Sequence, residues 1–535
     1  MFFKSFNISR NWLIHIVTIM LVLFYNVALF RHFIEVYPLS LSHLLYLFSI
    51  GLLVGALIEM ILHLSCYRWL TKPVLILILF VSAMGSYFMD TYNIVLDSTM
   101  IENIFSTNSR EAADLLSIKL FLYILILGIL PAILIYTARI KFKSVQREIF
   151  DSSKIILLAI FIIVSQVYLF GSFYSSFFRE HKEVRVYANP IMYLYSLYKY
   201  TSNVFDTGRH AVAELGKDSR IPDADIEREL VIIIVGETAR ADKFSLNGYT
   251  RKTNPLLEKE NVYSFNNIQS CGTSTAVSVP CMFSHLPEDE FTIEKGRNNE
   301  NLLDVLQHAE TNILWRDNNS DSKKVALRVQ YEDFTSKKRN PVCDIECRDI
   351  GMLHGLQDYL DSKKEGDVAI VLHQMGNHGP AYYKRYPASF EKFTPACHNS
   401  QLDKCSKEEI VNAYDNAILY TDYFLSEVIK LLKTNTRRFE TAMVYISDHG
   451  ESLGENGVYL HGMPNFMAPD NQRKVGSIFW FGDSYDNVDR VALAKNTDQS
   501  YTHDNVFHTI LGLFEIKSSV YDESLDIIEH VSEHE

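Results

Sequence analysis

Between Cys271 and Cys281 the chain reads Cys-Gly-Thr-Ser-Thr-Ala-Val-Ser-Val-Pro-Cys, which sets a hydroxyl, Thr275, inside a loop that two cysteines can staple. A threonine hydroxyl attacks poorly at neutral pH unless a base or a metal activates it. Upstream, Val-Ile-Ile-Ile-Val-Gly-Glu237 is an apolar run that ends on a carboxylate. Downstream, Met-Val-Tyr-Ile-Ser-Asp448-His449 repeats the design with a carboxylate and an imidazole. Such oxygen and nitrogen donors suit zinc or manganese. Each piece is weak alone: Ser-Thr before an apolar run is ordinarily a helix cap, and Asp-His-Gly occurs in many turns. Together, Glu237, Thr275, Asp448 and His449 point to a metal site with a built-in nucleophile. Zinc in such a site stabilises an alkoxide and neutralises a phosphoryl oxygen. A helix beginning after Thr275 would add its N-terminal amides; residues 276–279 suit a first turn, and Pro280 limits its length.

A second layer comes from His378, in Asn-His-Gly-Pro, and His461, in Tyr-Leu-His-Gly-Met-Pro. Histidines in such loops can bind a substrate phosphate, protonate a leaving group or hold a second metal. Asn319 and Lys323 can hydrogen-bond phosphate oxygens. His373 immediately ends an apolar run, so a buried structural role suits it equally well.

These residues need a scaffold that gathers distant segments. Strands are predicted at 231–235, 312–315, 368–372, 442–446 and near 476–481, and helices at 301–309, 350–362 and 408–433. That alternation describes an α/β sheet, whose ligands gather beyond the carboxyl ends of its strands.

The first third of the chain differs in kind. Apolar segments near 12–33, 43–64, 73–90, 118–138 and 155–177 approach or exceed the roughly 20 residues that cross a bilayer. Lys4, Arg10, Arg68, Lys72 and the cluster Arg139, Lys141, Lys143, Arg147 and Lys154 all fall on one side of such a chain. By the positive-inside rule the amino terminus is inside and everything after 178 is delivered outside. Expected divisions are a transmembrane part at 1–178, a bridge at 179–229 with a tyrosine-rich interfacial stretch at 193–200, and a soluble catalytic part at 230–535. Six of seven cysteines lie between 271 and 405 as near neighbours: Cys271 with Cys281, Cys343 with Cys347, and Cys397 with Cys405. Local disulfides in an oxidising compartment account for that spacing better than free thiols do. Glu59 and His63 stand one helical turn apart in the second span, where ionisable groups are functional candidates; a structural pairing against a neighbouring helix is the reading favoured here. A net charge of −13 argues against a nucleic-acid partner.

The motifs Val-Gly-Glu237-Thr-Ala-Arg-Ala-Asp, Cys271 to Met282, Arg316 to Lys323, His373 to Pro380 and Ser447-Asp448-His449-Gly-Glu-Ser resemble those of the membrane-anchored phosphoethanolamine transferases of Gram-negative bacteria. That group includes the lipid A modifying and mobile colistin-resistance enzymes. The resemblance implies a five-helix transmembrane domain followed by an alkaline phosphatase/sulfatase-like α/β domain, in the inner membrane with the catalytic part in the periplasm. It implies Zn2+, with room for a second ion, held by Glu237, Thr275, Asp448 and His449, and phosphoethanolamine carried on Thr275. Phosphatidylethanolamine would be the donor, lipid A the acceptor, and the protein a monomer. Asn103 and Glu111 in the outer loop match donor-binding positions, and Asn319, Lys323, His378 and His461 match substrate positions. All three cysteine pairs have counterparts in the family pattern. A phosphodiesterase of the same fold, or transfer to a core sugar, is the alternative. A sulfatase is disfavoured because Ser278-Val-Pro-Cys-Met lacks the arginine that formylglycine formation requires.

Overall fold

The computed structural model describes residues 6–107, 109–207, 212–222 and 225–530. Two compact units emerge: Met1–Ile101 with Leu116–Thr201, and Glu102–Leu115 with Ser202–Glu535.

In the first unit, His43–Ser65, Arg68–Tyr92, Ile118–Thr137 and Val145–Leu169 are long and apolar enough to cross a membrane. The stretch expected to be one span at 12–33 is instead two helices, Arg10–Phe24 and Val27–Val36, bent by 48°. Asn26 explains the bend. Its side-chain amide donates to the Leu21 and Asn189 carbonyls at 2.8 and 2.6 Å, and its Oδ1 accepts from Asn189 N at 2.9 Å. A side chain bonded this way competes with the helical ladder. The unit thus offers four spans, or five if the bent pair counts as one. The last expected span, 155–177, is also corrected: its helix runs Val145–Leu169 and a separate helix follows at Gly171–Glu180. Only 11% of the apolar window of Val145–Leu169 is buried by protein, which leaves its apolar surface to lipid. The tyrosine-rich stretch lies in the helix Ile191–Thr207.

The second unit is built on an eight-stranded sheet in the order Tyr501–Thr502, Val262–Gln269, Lys474–Phe481, Glu440–Ser447, Glu229–Gly236, Val368–His373, Asn312–Asp317, Gln330–Asp333. Lys474–Phe481 runs antiparallel to both neighbours, and the other pairings are parallel. Every residue of Glu229–Gly236, Val368–His373 and Glu440–Ser447 is buried, which is why these strands read as unbroken apolar runs. Val262–Gln269 escaped the sequence reading because it is only half buried and carries Asn266, Asn267 and Gln269. The helix expected at 350–362 is broken: a short helical turn, Asp349–Leu353, precedes Leu356–Ser362, and Gly355 between them adopts φ +66°. The long helix Lys407–Asn435 starts on a capping box of Ser406 and Glu409.

The cysteines pair locally, as their spacing suggested. Cys271 is bonded to Cys281 across the loop that carries Thr275. Cys343 is bonded to Cys347, closing a tight turn ahead of Asp349–Leu353. Cys397 is bonded to Cys405 just before the capping box of Lys407–Asn435. Cys66 is a buried free thiol.

Candidate active site

Parallel register brings the site together. Gly236 pairs with Ser447 and Val235 with His373, so Glu237, Asp448 and the loop after His373 leave the sheet at one edge. Thr238 turns the chain at φ +58°, a costly conformation for a β-branched residue. Its N–H donates to Asp448 Oδ1 at 3.1 Å. Gly376 packs on the Glu237 backbone so closely that a Cβ there would lie 2.8 Å from the Glu237 carbonyl oxygen.

Thr275 is the first residue of the helix Thr275–Met282, as the sequence suggested, and the helix accommodates Pro280. Its Oγ1 donates to Glu237 Oε2 at 3.1 Å and stands 3.4 Å from His449 Nε2. His449 Nδ1 donates to the Gly450 carbonyl at 2.9 Å, which leaves the Nε2 lone pair facing the cluster. That nitrogen lies 3.5 Å from Glu237 Oε1 and 3.4 Å from Asp448 Oδ2. Asp448 Oδ2 is buried with no hydrogen-bond partner among the described residues. One donor atom from each of Glu237, Asp448 and His449 lies within 4.8 Å of the others. An orphaned carboxylate oxygen and an aimed imidazole lone pair are what a divalent cation satisfies, so the donor set fits zinc.

The surroundings hold these donors still. Asn319 Nδ2 donates to Glu237 Oε2 at 2.7 Å and to the Gln374 carbonyl at 2.8 Å. Lys323, by contrast, donates to Ser320 Oγ at 2.6 Å on its own loop. The His461 ring lies 4.3 Å from that of His449, tilted by 45°, and 5.5 Å edge-on from that of His378. Burial opposes ionisation of Glu237, yet His449, His378 and His461 outweigh it and hold the carboxyl down to about 2. Burial pushes His378 down to about 3. Burial also opposes the charged form of His461, but Glu451 beside it, then Glu237 and Asp448, carry it up to about 9. Two imidazoles with opposite proton preferences thus adjoin the cluster, an arrangement suited to acid–base work. His373 Nδ1 donates to Asp317 Oδ2 at 2.9 Å, fully buried.

Sequence reasoning missed several supports. His503 accepts from Cys271 N at 3.3 Å and donates to the Ser447 carbonyl at 3.1 Å, tying the stapled loop to the strand that carries Asp448. Burial pushes it down to about 3, so it acts as a neutral strut. Arg385 donates to the His378 carbonyl at 2.6 Å and pairs with Asp114 at 3.1 Å. Asp114 belongs to the segment Glu102–Leu115, which is also held by Glu102 to Arg297 at 2.5 Å. The only sequence signal was that this outer loop is long and carries acids. Asn103 lies in the helix Ser98–Ser106, where its carbonyl accepts from Thr107 at 2.7 Å. The Glu111 side chain falls outside the described residues.

Residues 229–516 match the sulfatase family, and residues 54–205 match the family described as phosphoethanolamine transferase EptA/EptB. The chain is 43% identical to phosphatidylethanolamine transferase Mcr-1 of Escherichia coli, over 95% of this chain and 96% of that protein. It is 38% identical to phosphoethanolamine transferase EptA of Escherichia coli strain K12, with 94% of each covered. Among solved structures, the integral membrane lipooligosaccharide phosphoethanolamine transferase A of Neisseria meningitidis matches with a TM-score of 0.93 and 32% identity, over 98% of this chain and 99% of that one. The soluble domain of the same enzyme matches at 0.57 and 37%, covering 59% of this chain and 97% of that domain.

Proposed function

The chain belongs to the phosphoethanolamine transferase family, and from that premise we propose that it transfers phosphoethanolamine from phosphatidylethanolamine to a phosphate of lipid A by way of Thr275. The observation that carries this reading is the Thr275 hydroxyl hydrogen-bonded to Glu237 and beside His449 and the unsatisfied Asp448 oxygen.

Glu237, Asp448, His449 and the Thr275 oxygen would hold zinc, which would supply positive charge for the alkoxide and for a phosphoryl oxygen. The residues do the rest. Thr275 gives up its proton along the bond to Glu237, the Oγ–phosphorus bond forms, and the phosphorus–oxygen bond to diacylglycerol breaks. The departing oxygen takes a proton from His461, whose charged form Glu451 beside it favours. An oxygen of a lipid A phosphate, its proton passing to His461, then attacks the same phosphorus from the side opposite Thr275, the phosphorus–Oγ bond breaks, and Thr275 recovers its proton from Glu237. Asn319 holds Glu237, and the amides at the start of Thr275–Met282 favour the developing charge. Both substrates are lipids whose head groups lie at a membrane surface, which accounts for catalytic machinery tethered to spans. With the charged loops inside, that surface is the periplasmic face of the inner membrane. Ethanolamine on lipid A offsets anionic charge and so weakens binding of polymyxin-type cationic peptides.

The test is mass spectrometry of zinc-loaded full-length protein in nanodiscs containing phosphatidylethanolamine, without acceptor. The expected result is a phosphoethanolamine adduct on the Thr275 peptide, absent from Thr275→Ala. Free phosphoethanolamine released over many turnovers would make the protein a phosphodiesterase instead, and neither product would refute the donor.

A further inference from the structure

A second cluster of metal-ligating side chains lies in the membrane unit. Glu59 and His63 sit four residues apart on the helix Leu41–Ser65, one turn of the same face. His15, from the neighbouring helix Arg10–Phe24, completes a group whose donor atoms lie within 4.8 Å of one another.

The bonding of this group is incomplete. His15 Nδ1 and Glu59 Oε1 share a hydrogen bond of 2.8 Å. His63 Nε2 stands 3.2 Å from Glu59 Oε2 without hydrogen-bond geometry, and its side chain is fully buried. Both His63 ring nitrogens and Glu59 Oε2 therefore lack hydrogen-bond partners among the described residues. A proton between His15 and Glu59 would satisfy one pair and leave those three buried atoms orphaned, each at the cost of its lost hydration. A divalent cation would satisfy Glu59 Oε2 and His63 Nε2 at once, and replace the shared proton with its own bond to His15. Thr18, one turn beyond His15, adds a further buried hydroxyl without a partner among the described residues. Thr18, His15 and Glu59 open on a cavity of about 890 Å³ walled otherwise by apolar residues such as Val22, Phe48 and Leu158. Apolar walls of this kind govern solvent access to a bound ion.

We propose that His15, Glu59 and His63 bind a divalent cation of the zinc class inside the membrane unit. Two imidazoles and one carboxylate form a nitrogen-rich donor set that favours zinc over magnesium or calcium, with a coordination position left open towards the cavity. Binding would cross-link Arg10–Phe24 to Leu41–Ser65.

The experiment uses tag-free full-length protein in nanodiscs, carrying Asp448→Asn and His449→Ala to disable the Thr275 cluster, stripped with chelator and re-equilibrated with Co2+. The expected result is one equivalent of Co2+ retained, with visible ligand-field absorption of nitrogen-ligated ion and a higher unfolding temperature. Adding Glu59→Gln, which keeps shape and hydrogen bonding, or His63→Leu should abolish both retention and absorption without changing the helical circular dichroism. No Co2+ bound by the parent protein would overturn the proposal, and so would undiminished Co2+ in both added variants.

Discussion

Among the described residues, two histidine–carboxylate clusters could hold a metal ion, and they are built in different ways. The Thr275 cluster draws on segments spread from Glu237 to His449, and each donor is oriented from behind. His449 is held by the Gly450 carbonyl, Asp448 by the Thr238 amide, and Glu237 by Asn319. The His15 cluster draws on two neighbouring helices, and its members are oriented chiefly by one another. A sheet edge fixes several strand ends in register, so outer-shell partners can be placed around each ligand. Two packed apolar helices supply side chains on facing turns but few polar groups behind them. The first arrangement fixes a rigid set of donors at the sheet's carboxyl edge; the second suits an ion that joins helices.

Variants can break or sharpen that contrast. Asp448→Asn has the largest expected effect. Removing the unsatisfied oxygen should lower transfer by about 10³-fold or more, since metal charge supplies several kcal/mol of the barrier reduction. Co2+ at the His15 cluster should persist in the same protein; loss of both ions would mean the clusters are not independent. Next comes the staple, which the membrane cluster lacks. Cys271→Ser with Cys281→Ser should cost about 2–3 kcal/mol of stability in denaturant unfolding, from the loop entropy released. An unchanged midpoint would show that His503 alone holds the loop. A smaller effect is expected from Arg385→Lys, which keeps the charge opposite Asp114 but gives up the guanidinium fork that also reaches the His378 carbonyl. Turnover should fall about tenfold, equivalent to about 1.4 kcal/mol, with the fold intact; unaltered turnover would sever the loop from the site.

The smallest effect tests whether buried acids in this domain all require a cation. At the opposite end of the sheet, Glu229 accompanies Asp367, whose Oδ1 accepts from the Glu229 amide at 3.1 Å. Burial, reinforced by Asp367, pushes the Glu229 carboxyl far above the ordinary range. The folded protein thus keeps a proton that the unfolded chain releases above about pH 4.5, and stability falls as pH rises beyond that value. Glu229→Gln should flatten the decline in unfolding temperature between about pH 5 and pH 9. It should change stability at low pH by less than about 1 kcal/mol. A decline as steep as in the wild type would place the proton elsewhere.

Much of the Thr275 site was legible because its carriers are central strands. Burial on both faces makes Glu229–Gly236 and Glu440–Ser447 continuous apolar runs, and a carboxylate at the end of such a run stands out. The disulfides were legible because their partners are close in sequence: Cys343 and Cys347 are four residues apart, Cys397 and Cys405 eight. The strand Val262–Gln269 was not, since half-burial dilutes the apolar signal. The bend at Asn26 was hidden because it depends on Asn189, far along the chain.

The amino-acid order alone thus determined the membrane third, the donor-bearing strand ends and the stapled loop around Thr275, all of which depend on local composition and spacing. Only the tertiary structure decided which atoms meet. Strand register placed His449 Nε2 beside Thr275 and left Asp448 Oδ2 unsatisfied, and His503 and Arg385 entered through hydrogen bonds between distant segments. Helix packing likewise added His15 to the Glu59 and His63 pair, because a side chain's neighbours across an interface follow from geometry that spacing along the chain does not encode.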